Sequence, residues 1–254
     1  MLGNAITTGV AVVSGAAALA GVAVHHTMTP TTQWYGKTFF GLSPGTKQIA
    51  LTYDDGPNDP YTLRLVEMLA RHDVRATFFM IGRYVKQRPE IARAVAEAGH
   101  VVANHTFNHP LLIFKGNSSV EKELESCKQV LLDAAGPHSN LFRPPFGGLR
   151  PGLLSFIRKS GLEPIMWNVT GFDWDAPPVE FIEEKVAGQM RGGDIILLHD
   201  GGHAQMGADR GPTIAASERM IRRYRGEGYE FVTVSQMLEQ SQAKTPGAAV
   251  LQIP

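Results

Sequence analysis

Asp194-Ile195-Ile196-Leu197-Leu198-His199 sets four consecutive large aliphatic residues between two polar ends. A strand with one face in water alternates apolar and polar residues; this one does not. Both of its faces are therefore covered, as in a parallel sheet flanked by helices. Working upstream, Gln48–Tyr53 reads as a short strand and Tyr61–His72 as a helix. An apolar β-rich run at Ala76–Ile81 precedes a helix over Val85–Ala98 with Pro89 in its first turns. Then come a strand at His100–Ala103, a helix at Ser119–Ala135 and a strand near Leu141–Phe142. A helix at Pro151–Ser160, a strand at Pro164–Val169 and a helix at Val179–Met190 lead to the quoted run. Beyond it lie a helix at Pro212–Arg225, a last strand at Glu230–Thr233 and a short helix at Val234–Gln240. Alternating strands and amphipathic helices give an α/β class, and about seven such units suit a distorted (β/α) barrel in a single domain.

The 254 residues are ample for one such core. With 24 basic and 24 acidic side chains and no long basic run, no nucleic-acid partner is expected, while a neutral polymer such as a sugar chain is compatible. Cys127 is the single cysteine, so no intrachain disulfide can form; its helical spacing with Leu124 and Leu131 predicts a buried side chain. From Met1 to Gln33 there is no Lys, Arg, Asp or Glu, and Ala5–Val24 is almost wholly small and apolar. Residues 1–30 thus read as an anchor or signal segment, which favours export or membrane attachment, although the basic flank usual for both is missing. Residues 31–46 read as a linker carrying Trp34, Tyr35, Phe39 and Phe40, 47–240 as the folded domain, and 241–254 as a flexible tail.

Polar residues fall where a β/α barrel places chemistry, in the loops that follow its strands. Thr52-Tyr53-Asp54-Asp55-Gly56-Pro57 ends the first strand, and His105-Thr106-Phe107-Asn108-His109-Pro110 follows the third. Arg143, then Asp173 with Trp174, then His199 follow later strands. His105 and His109, four apart, can point the same way from one helical turn, with Pro110 limiting its continuation. Two histidines and one carboxylate make a divalent-metal site, and the second carboxylate is left over to act as a base. Adjacent strand residues diverge in direction, so Asp54 and Asp55 need not share a job. Arg143 beside a carboxylate would keep it ionised, and Asp173 near His199 would keep that imidazole protonated, as an acid for a poor leaving group requires. Trp174 is expected to form an apolar wall and Trp167, inside a strand, to belong to the core. His25, His26, His72, His100, His138 and His203 have no comparable partners, though His203, in the Gly-rich loop after His199, could line the site.

These five ordered fragments, with Arg143-Pro144-Pro145-Phe146-Gly147 and Leu197-Leu198-His199 among them, resemble the motifs of the polysaccharide deacetylases, the NodB-homology group or carbohydrate esterase family 4. Ala76-Thr77-Phe78-Phe79 between the first two is also typical, and the likeness spans roughly Lys47–Gln240. The resemblance implies a catalytic domain that removes N-acetyl groups from an amino-sugar polymer such as chitin or peptidoglycan, with acetylxylan-type O-deacetylation or idle glycan binding as alternatives. It implies a divalent metal, usually zinc but with cobalt, nickel or manganese possible, held by Asp55, His105 and His109. It further implies Asp54 as base, His199 as acid, Arg143 holding the base and Asp173 tuning the acid. Trp174 and Leu197 would wall the acetyl pocket, and the Phe146 backbone N–H would meet the oxyanion. Tyr53 stands for the commoner Phe and Phe146 for the commoner Tyr. A bacterial envelope location goes with such a substrate.

Overall fold

The computed structural model describes residues 21–243. The apolar segment expected at 1–30 lies mostly outside them, as does most of the tail expected at 241–254. Among the described residues no helix is long and apolar enough to cross a membrane.

Eight strands make one sheet in which every strand pairing is parallel. They are β1 (Gln48–Gly56), β2 (Thr77–Met80), β3 (Val101–Asn104), β4 (Leu141–Phe142), β5 (Glu163–Pro164), β6 (Val169–Thr170), β7 (Asp194–His199) and β8 (Glu230–Phe231). Their order is β5-β4-β3-β2-β1-β7-β6, with β8 on β1. Because β7 already occupies one edge of β1 at Ile49, β8 must take the other edge there, below β2. The sheet curls: Arg143, just past β4, donates a 2.7 Å hydrogen bond to Asp54 on β1, although β3 and β2 separate those strands.

The strand expected at Pro164–Val169 is split. Its first part, β5, pairs with β4, and its last part, β6, pairs with β7. Between them the Ile165 N–H bonds Phe142 O on one side and the Asn168 N–H bonds Ile195 O on the other. One short run thus touches both free edges of the curled sheet, and its backbone cannot remain in either ladder throughout. The helix expected at Val85–Ala98 is also two, α2 (Gly82–Gln87) and α3 (Pro89–Glu97), after α1 (Tyr61–Arg71). Pro89 has no N–H and crowds the residue before it, so Arg88 leaves the helical region at φ −134°, ψ 61°. Further α-helices of the domain are α4 (Asn117–Ala135), α5 (Leu153–Lys159), α6 (Val179–Ala187), α7 (Gly211–Gly226) and α8 (Val234–Ala243). Most follow the expected positions to within a few residues.

Side-chain alternation divides the core into two layers. Ile49, Leu51 and Tyr53 of β1, with Ile196 and Leu198 of β7, pack outward against Leu65, Met68 and Leu69 of α1 and Met220 of α7. Ala50 and Ile195 face inward with Phe79, Ala103 and Ile165. The inward series continues through Thr52 to Asp54 and through Leu197 to His199, which carries both polar tips to the barrel mouth. Residues 31–46, read as a linker, lie against the barrel: the Leu42 N–H bonds Gly193 O, the Met166 N–H bonds Phe39 O, and Tyr35 and Phe40 pack on the cluster around Leu153. Cys127 is buried, and that burial pushes its thiol up to about 12, so it is an inert packing residue.

Candidate active site

Strand alternation would point Asp55 away from the lumen. A bulge prevents this: the β1–β2 register shifts between Asp54 and Gly56, and Asp55 takes a left-handed conformation at φ 73°. Its carboxylate turns back beside that of Asp54, so the expected divergence of the two neighbours does not occur. The bulge fits because the neighbouring chain has no side chain to offer. A Cβ on Gly201 would come 2.1 Å from Asp55 O, and one on Gly56 would come 2.2 Å from an Asp200 oxygen. Only glycine at both positions lets the ends of β1 and β7 meet this closely.

His105 and His109 do not lie on a helical turn. The 105–109 segment is a tight loop with left-handed Thr106 (φ 66°) and His109 (φ 59°). Asn104 accepts from the Thr106 N–H, and Glu123 of α4 accepts from the N–H groups of Phe107 and Asn108. Both imidazoles thereby converge on Asp55, whose Oδ1 lies 3.5 Å from His105 Nε2 and 3.3 Å from His109 Nε2. The ligand atoms of the three residues all lie within 4.8 Å of one another, and all three residues are buried.

This trio fits a divalent cation better than it fits itself. Asp55 Oδ1 is buried with no hydrogen-bond partner. His105 Nδ1 lies 2.7 Å from Arg143 O, and since a carbonyl only accepts, Nδ1 carries the proton and Nε2 presents a lone pair. Burial, then the nearby His105, drives His109 down to about 3, so His109 is neutral. Burial alone would raise the Asp55 carboxyl, but His105 and His109 outweigh it and hold it well below the usual range. An ionised oxygen with two imidazole nitrogens 3.3 and 3.5 Å from it is a donor set that would suit a divalent ion such as zinc.

Asp54 sits beside the trio with its oxygens in separate settings. Oδ1 accepts from Arg143 Nη1 at 2.7 Å, while Oδ2 faces His105 Nε2 at 3.7 Å. Arg143 is wholly buried, also donates to Thr52 Oγ1 and Met166 O, and lies over the Phe79 ring at 4.1 Å. Its side chain thus orients Asp54 while its carbonyl fixes the tautomer of His105. The sequence pointed only to the first of these roles.

Across the ladder Asp54 is the direct Cα partner of His199. His199 Nδ1 lies 2.8 Å from Asp173 Oδ1, and the His199 N–H and the Thr213 hydroxyl each donate to Asp173 Oδ2 at 2.8 Å. Burial alone would lower the His199 pKa, but Asp173 outweighs it and raises it to about 9. For Asp173 burial is likewise outweighed, by His199 and these hydrogen bonds, and its pKa falls. His199 is thus an imidazolium at neutral pH.

These groups open onto a cavity of about 690 Å³. Asp54, Asp55, His105, His109, Phe146, Trp174, Leu197 and His199 line it; Arg143 and Asp173 lie behind it, fully buried. Trp174 is a wall, 48% exposed and edge-on to His199. Trp167 departs from the core reading: it is only partly buried, packing against the cluster of Met166 and Phe142 while also lining the cavity. Phe146 is left-handed at φ 58° and edge-on to His109. Four contributors lie outside the quoted motifs. Met28 reaches the cavity from the N-terminal segment. Arg210 ties the walls together by donating to Gly201 O, Asp173 O and Trp174 O. Asp200, pushed up to about 7 by burial, accepts from Thr62 beneath Gly56. His203 stacks on His109 with ring centroids 5.0 Å apart. For Arg210 and His203 a signal existed, since both lie in the loop that follows a motif strand.

Comparisons with known proteins agree with this geometry. The profile of the polysaccharide deacetylase family matches residues 42–165. A peptidoglycan-N-acetylglucosamine deacetylase of Bacillus cereus is 36% identical over 200 residues, covering 76% of this chain and 88% of its own length. A chitooligosaccharide deacetylase of Azorhizobium caulinodans is 37% identical over 161 residues, covering 63% of this chain and 77% of its own. The crystal structure of the peptidoglycan N-acetylglucosamine deacetylase Bc1960, bound to an N-oxidanyl-benzamide, superposes with a TM-score of 0.73 at 29% identity, covering 79% of this chain and 92% of that one.

Proposed function

This chain belongs to the polysaccharide deacetylase family, and on that premise we propose that it hydrolyses N-acetyl groups on an amino-sugar polymer or oligomer of the peptidoglycan or chitin type, releasing acetate. One observation carries the reading beyond family membership. A carboxylate base and an imidazolium acid are cross-strand partners, beside a buried Asp-His-His donor set. Amide hydrolysis needs all three, because water must be deprotonated and the amine must leave protonated.

In this reading Asp55, His105 and His109 hold a divalent ion, and two imidazoles with one carboxylate suit zinc best among cations of this size. When bound, such an ion polarises the acetamide carbonyl and lowers the pKa of water to about 7. Asp54 then removes the proton of the attacking water through the oxygen that Arg143 leaves free. Arg143 keeps that carboxylate ionised and aimed. The Phe146 N–H is the donor assigned to the developing oxyanion, a kind of contact worth about 3–4 kcal/mol in such sites. His199 Nε2 delivers its proton to the departing nitrogen, and Asp173 stabilises the charge until it does so. Leu197 and Trp174 exclude water around the acetyl methyl. The domain is assigned to residues 47–240, with residues 31–46 packed against it. The charge-free stretch at 1–33 and the substrate class together support export to the bacterial envelope.

Acetate release from chitopentaose and from peptidoglycan fragments, with and without chelator, tests the reading. Release that the chelator abolishes and added zinc restores is expected. Release from acetylxylan alone would make the protein an O-deacetylase instead.

A further inference from the structure

Residues 200–210 loop over the cavity, and side chains from two other parts of the fold, together with the loop's own Arg210, fix their backbone. Asn58 donates to Asp200 O and Ala208 O and accepts from the Gly207 N–H. Arg210 holds Gly201 O. Arg83 donates to His203 O, and the Tyr84 hydroxyl lies 3.1 Å from Gly202 O. An exposed loop containing three glycines has no packing need for so many anchors, so the anchors serve what the loop presents.

What it presents is the His203 ring. That ring stacks on His109 at 5.0 Å with 25° between planes and meets Phe146 edge-on at 5.2 Å. Its Nδ1 is 3.9 Å from Asp55 Oδ2, too far for a hydrogen bond. Neither ring nitrogen has a hydrogen-bond partner among the described residues. The side chain is 51% exposed, inside the cavity wall rather than on open surface. His203 does not belong to the close-packed donor trio, whose ligand atoms all lie within 4.8 Å of each other.

We propose that His203 is a substrate-positioning residue, whose ring edge hydrogen-bonds a hydroxyl of the sugar that bears the acetamide. The inference rests on the glycan reading above. A ring stacked face-on against one neighbour keeps the nitrogens of its edge free, and an imidazole edge offers a donor and an acceptor in one plane. Sugar hydroxyls, which both donate and accept, match that edge.

The test compares wild type with His203→Phe, which keeps the stack, and His203→Gln, which restores an in-plane donor and acceptor. Chitopentaose binding is measured by calorimetry on the zinc-loaded proteins, KM and kcat by acetate release, and zinc affinity by chelator competition. His203→Phe should weaken chitopentaose binding and raise KM by about tenfold, as expected for one lost hydrogen bond, with His203→Gln recovering most of it. Zinc affinity should stay within about twofold in both. Wild-type binding and KM in His203→Phe would overturn the proposal. So would a zinc affinity that falls with activity, since the ring would then merely support His109. If wild type binds chitopentaose without releasing acetate, the deacetylase reading fails, while the binding comparison still decides the role of His203.

Discussion

Two carboxylate–imidazole clusters share the barrel mouth and behave in opposite ways. In one, Asp55 faces two imidazoles; in the other, Asp173 faces His199 alone. Burial lowers the basicity of both His109 and His199, but His109 falls to about 3 whereas His199 rises to about 9. The count and alignment of partners decide the outcome. Asp55 is shared between two rings, at 3.3 and 3.5 Å, with one oxygen serving both. Asp173 gives one oxygen to the His199 ring and keeps the other on the His199 N–H and Thr213. A shared carboxylate leaves lone pairs pointing at one spot; a dedicated one leaves a proton in place. The same two residue types thus make a cation site and an acid 26 positions of sequence apart from its partner.

The largest effect should come from the group between the clusters. Asp54→Asn keeps the Arg143 contact but cannot accept a proton, and should lower kcat/KM on chitopentaose by about a thousandfold with zinc content unchanged. A loss under tenfold would mean that another group is the base. His199→Ala should cost about a hundredfold on the amide and far less on 4-nitrophenyl acetate, whose phenolate leaves without a proton. Equal losses on both would remove His199 from the acid role. Asp173→Asn tests the contrast directly: the alkaline limb of kcat, expected near pH 9 for wild type, should move down towards the ordinary histidine value of about 6.5. At pH 8 the variant should lose about tenfold or more.

The smallest effect lies in stability. His199 has its pKa raised on folding, so its contribution is complete below about pH 6.5 and is lost as pH rises through about 9. Wild type should therefore lose on the order of 2–3 kcal/mol across that window relative to Asp173→Asn. Denaturant unfolding at pH 6, 7.5 and 9 reads this, and parallel curves for the two proteins would contradict the contrast.

Much of this was legible in the chain. Asp194–His199 announces a strand buried on both faces, and alternation along it leads to His199. Asp55, His105 and His109 stand out because their residue types are chemically unusual at strand ends. What stayed hidden was conformation rather than composition. Nothing local to Tyr53-Asp54-Asp55 specifies a bulge; it depends on β7 arriving with Gly201 opposite. The split of 163–170 arises from closing the sheet, which no single segment records. Met28 and Trp167 reach the cavity through tertiary packing, and a half-buried Trp reads like a core Trp in sequence. The polar identity of Arg143 signalled its side chain, whereas its carbonyl contact with His105 carries no sequence mark at all.

Asp55, Thr106, His109 and Phe146 all sit in left-handed backbone that glycine would adopt at lower cost. Each such residue is held there at a cost of about 1 kcal/mol or more, and three of them, Asp55, His109 and Phe146, line one cavity. Selection for thermal robustness alone would erode these positions first, because glycine relaxes the chain at each of them, and at Asp55 or His109 it also deletes a member of the buried donor set. A lineage released from its reaction would drift towards a firmer fold by losing this corner, so intact left-handed positions are themselves a signature of continuing use.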